Sequence, residues 1–80
     1  MSVDQRVLIE ELLYATKRYE PGDRSYIEEV QLAYREMHDD EPAVAEVEAA
    51  IKTAYEAGLI KPDKTAIWKI TYKGRKHTFR

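Results

Sequence analysis

Seven basic side chains fall within the last twenty residues: Lys61, Lys64, Lys69, Lys73, Arg75, Lys76 and Arg80. One acid, Asp63, accompanies them, so this segment carries +6. The first sixty residues hold six bases and fourteen acids, a charge of −8, and the overall −2 therefore conceals a cationic end on an anionic body. Ammonium and guanidinium groups at this density neutralise phosphates or carboxylates. The partner they point to is a polyanion, nucleic acid foremost, or an acidic protein surface, including the acidic helices of a second copy in a homodimer. The plain alternative is a solvated basic strand whose lysines discourage edge-to-edge association.

Other chemistries find little support. The chain has no cysteine, which excludes a disulfide framework, thiolate metal sites and Cys nucleophiles. His38-Asp39-Asp40-Glu41 has metal-ligating residue types, but four adjacent residues in a turn rarely converge on one ion and no second cluster closes a site. Acids ahead of a following helix are better explained by its positive dipole end. There is no Gly-rich phosphate cradle and no nucleophile–base spacing; Ser2 and Ser25 are the only serines. The expectation is a protein that is not an enzyme, with no cofactor, no metal and no small-molecule substrate.

Eighty residues predict one domain, residues 1–80, without room for a deep cavity. No apolar run approaches the ~20 residues of a membrane span. Asp4, Arg6, Glu10 and Glu11 interrupt any signal-like apolar stretch at the amino terminus. Both features predict a soluble, cytoplasmic protein.

The elements that position the basic residues follow from periodicity. Leu8, Leu12, Ala15 and Tyr19 share one stripe of a first helix over about 3–19, which Glu20-Pro21-Gly22-Asp23 ends. Ser25-Tyr26-Ile27-Glu28 reads as a capping box opening a second helix, with Tyr26, Ile27, Val30, Ala33, Tyr34 and Met37 inward and Leu32 on the opposite side. Pro42 suits the first turn of a third helix that runs to about Ala57, with Val44, Val47, Ile51, Ala54 and Tyr55 inward and Gly58 as a left-handed C′ residue. Lys61-Pro62-Asp63-Lys64 reads as a turn. Beyond it Trp68, Ile70 and Tyr72 alternate with Lys69, Thr71 and Lys73, predicting a strand with one apolar and one cationic face. The end of the chain has two readings. A type II′ turn at Gly74-Arg75 would return His77-Thr78-Phe79 as a second strand; alternatively, Thr71 would cap a short final helix. The poor helix propensity of Gly74 and Thr78 and the parity of Phe79 favour the hairpin. The fold class expected is α+β: a three-helix core followed by a small C-terminal antiparallel β-hairpin.

Two strings sharpen this order. Tyr55-Glu56-Ala57-Gly58-Leu59-Ile60 resembles the "xAGLI" junction between recognition helix and strand in winged helix-turn-helix domains. Ile70-Thr71-Tyr72-Lys73-Gly74-Arg75 resembles the "LTxxGR" string that follows the wing in many of them. The stretch between Ile60 and Ala66 is short for a wing, and Lys76-His77-Thr78 stands where relatives continue with an apolar helix. The resemblance is to the superfamily and to no particular family within it. It implies a DNA-binding or regulatory module, with the third helix in the major groove and the wing on phosphates.

The residues modify that implication. The outward positions of the third helix are Ala45, Glu46, Ala49, Lys52, Thr53 and Glu56, a poor set for reading base edges. Phosphate contact is therefore expected mainly through the basic C-terminal hairpin: Lys69, Lys73, Arg75, Lys76 and Arg80, with Lys52 and Thr53 at a groove edge. A second reading is a protein-interaction adaptor that uses Leu32, Ala45, Glu46 and Ala49, because small residues one turn apart admit another backbone. Base stacking is disfavoured, because strand alternation puts the aromatic residues on the face opposite the lysines.

Overall fold

The structure is a computed structural model that describes residues 3–22, 24–64 and 67–78. The chain forms α1 (Gln5–Arg18), α2 (Tyr26–His38), α3 (Val44–Glu56), β1 (Ile60–Lys64), β2 (Ile67–Ile70) and α4 (Tyr72–His77). The α+β architecture of three helices and an antiparallel hairpin is as expected; the hairpin closes between Lys64 and Ile67 and not at Gly74-Arg75, and a fourth helix follows it.

Helix α1 is the central element, packed against α2, α3, β2 and α4. Its Leu8, Leu12 and Ala15 are fully buried, as their spacing requires, and Leu13 widens the stripe. Asp4 caps it by accepting from the Arg6 amide (2.9 Å), and Lys17 and Arg18 face the negative end of its dipole. Helix α2 opens on the Ser25–Glu28 capping box: Ser25 Oγ accepts from the Glu28 amide (3.2 Å) and Glu28 Oε1 accepts from the Ser25 amide (3.1 Å). The bond from the Ser25 amide, with a further contribution from the Ser25 hydroxyl, holds the Glu28 carboxyl below its ordinary range. Asp39, at φ 51°, ends α2 in the left-handed region.

Tyr26, the first residue of α2, joins α2 to α1 through a buried relay. Thr16 Oγ1 donates to the Leu12 carbonyl (2.6 Å), so the Tyr26 hydroxyl donates its own proton to Thr16 Oγ1. Arg18 adds a second tie, with Nε 2.7 Å from Glu29 and Nη2 2.7 Å from Glu36.

Pro42 is buried just ahead of α3 rather than in its first turn. Its carbonyl accepts from Gln31 Nε2 of α2 (3.0 Å), which fixes the entry to α3. Ala43 stands at the N-cap with no side-chain acceptor; Glu46 supplies the return half of a box by accepting from the Ala43 amide (2.9 Å). Gly58 takes φ 76° and ends the helix as expected. Met37, Val44 and Tyr55, assigned to inner stripes, are exposed: Met37 and Val44 lie in terminal turns, and the Tyr55 ring leans onto Trp68.

Residues 61–64 are a strand and not a turn. The hairpin pairs Ile60 with Ile70, Lys61 with Lys69 and Pro62 with Trp68, and an irregularity between Pro62 and Lys64 shifts the register so that Lys64 faces Ile67. Each strand of a two-stranded sheet has a free edge, and there Pro62 forfeits no ladder donor. The turn expected at Gly74-Arg75 does not form. Thr71 instead caps α4, accepting from the Gly74 amide (3.0 Å), and its hydroxyl donates to the Gly58 carbonyl (2.6 Å). Gly74 is buried because α4 lies so close to the α3–β1 junction that a Cβ there would collide with the Leu59 carbonyl oxygen and sit 2.8 Å from Ile70 Cγ1. Tyr72, expected inward by strand parity, is the first residue of α4 and 74% exposed. The expected return strand cannot include His77, which is helical; Phe79 lies outside the described residues. No helix among the described residues is long and apolar enough to cross a membrane.

Candidate nucleic-acid interface

The distribution of ion pairs divides the molecule as its net charge does. In the first sixty residues Arg18 meets Glu29 and Glu36, Arg24 meets Glu29 (3.2 Å), Arg35 meets Glu41 (3.6 Å), and His38 Nε2 lies 3.0 Å from the largely buried Glu11. Burial opposes the charge on Arg18, but its hydrogen bonds to Glu36, Tyr14 and Glu29 outweigh that and raise the guanidinium above its ordinary value. The same contacts account for the His38–Glu41 segment: two of its four side chains belong to ion pairs, and Asp40 accepts from the Glu41 amide (2.9 Å). Beyond residue 60 the pattern reverses. Lys61, Lys64, Lys69, Lys73, Arg75 and Lys76 form no ion pair among the described residues.

Four elements bring cations to one groove of about 320 Å³: Lys17 from the end of α1, Lys64 from β1, Lys69 from β2 and Arg75 from α4. Thr16, Tyr19, Pro21, Ile67, Trp68 and Ile70 complete its walls, and Asp63 is its one acid among the described residues. The positioning follows from the hairpin. Ile60 and Ile70 face each other in the core, so the next pair along, Lys61 and Lys69, is exposed. Like charges directly opposite on an antiparallel pair oppose each other. Arg75 is placed by the Thr71 cap and by the contact of Gly74 with Leu59, which together set the rotation of α4.

The expected contact residues separate into groups. Lys69 and Arg75 share the groove. Lys73 lies on the other side of α4, its stem 3.9 Å from where a Gly58 Cβ would stand, which brings a cation to the end of α3, a helix with no base in its own last turn. Lys76 lies over the Tyr72 ring, 4.8 Å from its centroid. Lys52 is exposed on α3 away from the groove, and Thr53 lines a different crevice with Arg6, Ile9, Glu10, Ala57, Leu59 and His77. Arg80 lies outside the described residues. The groove contains two cations that the sequence-based site omitted, Lys17 and Lys64. Lys64 was legible as one more base in a cationic segment; Lys17, fifty residues away, was not.

Of the alternative surface, Ala45 and Ala49 are exposed one turn apart, Leu32 is half-buried, and the Glu46 carboxylate is engaged in capping α3. The exposed side of α3 also bears Glu48 and Glu56 against the single base Lys52.

No family model matches the chain, and neither a curated protein nor a solved structure matches it.

Proposed function

We propose that this protein is a small nucleic-acid-binding module of the winged-helix kind that grips phosphates with its hairpin and fourth helix and not with its third helix. The observation that carries the reading is the set of six bases between Lys61 and Lys76 that form no ion pair among the described residues, with Lys61 held opposite Lys69 and Lys64, Lys69 and Arg75 converging with Lys17 on one groove. Opposed lysines are tolerated at a cost within the free protein, and that cost is removed when phosphate lies between them. The acidic outer side of α3 favours recognition by backbone and shape over recognition by base edges.

The test is a salt titration with duplex DNA. Four neutralised phosphates give a log K against log salt slope of about −3.6, at ~−0.9 per phosphate. Binding that is undetectable at low salt, or that does not change with salt, overturns the proposal.

A further inference from the structure

Trp68 stands between two grooves of opposite character. One is the cationic groove that holds Lys69 and Arg75; the other is an apolar groove of about 380 Å³ between the start of α2, α3 and the hairpin, walled by Tyr26, Ile27 and Ile51, and the indole lines both. Strand alternation alone would give the indole to one of these, but its ring is broad enough to wall both. Half-exposed Tyr55 packs against the indole, with ring centroids 5.4 Å apart at 58°. Among the described residues the apolar groove carries one charged group, the Glu48 carboxylate, and two hydroxyls, Ser25 and Tyr26, the latter held by Thr16. It therefore rejects phosphate and accepts a flat neutral ring.

We infer that the apolar groove takes an unpaired base, stacked on the Trp68 indole that Tyr55 braces, from a single strand whose phosphates follow the cationic groove. The inference rests on the phosphate-binding reading and adds the class of nucleic acid. A base and its own phosphate lie on opposite sides of the sugar, and the two grooves share the Trp68 indole as a wall, so a single splayed nucleotide addresses both. A base in a duplex is stacked between its neighbours and cannot reach the groove. The charge pattern separates this occupant from an apolar peptide, which would offer no anion to Lys69 and Arg75.

Trp68 is the only tryptophan, so its fluorescence reports the site directly. The experiment titrates the full chain at one salt concentration with a single-stranded DNA 12-mer, a duplex carrying the same number of phosphates, and inorganic polyphosphate. The expected result is quenching and tighter binding with the single strand alone. In addition, Tyr55→Ala weakens single-strand binding about tenfold while leaving polyphosphate affinity unchanged, and Tyr55→Phe, which keeps the ring, restores it. If all three polyanions bind alike and the fluorescence does not change, the stacking inference is overturned and the phosphate-binding reading stands. If none of them binds, both fall. Quenching by an apolar peptide and not by the single strand would assign the groove to a protein partner and overturn the inference.

Discussion

Lys61 and Lys69 stand directly opposite one another across the hairpin, both exposed and neither with a carboxylate partner among the described residues. A hairpin selected for stability alone would place opposite charges there, because such a pair contributes about 0.2–1 kcal/mol relative to neutral residues. Lys69→Glu is therefore expected to raise the thermal midpoint while weakening DNA binding, with the salt slope reduced by at least ~0.9. Melting and salt titration of the same variant check both signs. A variant that loses stability, or binds as before, contradicts the role given to this pair.

Gly74 reverses the usual rule for glycine in a helix. Alanine there gains up to ~1 kcal/mol of helix propensity. Its Cβ, however, meets the Leu59 carbonyl, a backbone group that cannot swing aside. Gly74→Ala is expected to destabilise by about 1–3 kcal/mol, in the range of overpacked cores. Urea unfolding reads the sign: an unchanged or raised midpoint would mean that α4 does not lie against the α3–β1 junction.

Thr71 joins the end of α3 to the start of α4 through one hydroxyl that donates to Gly58 and accepts from Gly74. Thr71→Val keeps the shape and removes both bonds, at an expected cost of about 1–2 kcal/mol. Thr71→Ser retains the hydroxyl and should recover most of that loss. Because Arg75 rides on α4, Thr71→Val should also weaken polyanion binding at temperatures where the protein remains folded, and a titration with Thr71→Ser alongside separates the two effects.

Tyr26 contributes a stability that declines at alkaline pH. Burial pushes its hydroxyl up to about 12. The unfolded chain titrates near 10, so between about 10 and about 12 the folded state holds a proton the unfolded state has lost. The stabilisation is complete below the lower value and falls as pH rises through the upper one, by on the order of 2–3 kcal/mol at ~1.36 kcal/mol per pH unit. Tyr26→Phe is expected to be less stable at neutral pH, through loss of the Thr16 bond, and to lack this contribution to the alkaline decline. Midpoints measured across that window test it.

Features governed by near neighbours in the chain were legible in the residues. The stripe of Leu8, Leu12 and Ala15, the Ser25–Glu28 box and the left-handed Gly58 each depend on a few adjacent positions, and each formed where the spacing put it. The cationic and partly β character of the last twenty residues is legible in their types, but the hairpin closes between Lys64 and Ile67 and not at Gly74. Gly74 permits a turn and also permits close packing; the choice was made by the Leu59 carbonyl, fifteen residues earlier, together with the bond from Thr71 to Gly58. Tyr72 went from an inward strand residue to an exposed helical one for the same reason. The groove shows the limit most plainly. Charge is a property of each residue, so the sequence by itself determined that a cationic surface exists. Convergence is a property of distances, and only the packing of α1 against β2 and α4 brings Lys17 beside Lys69 and Arg75 and puts Trp68 between two grooves.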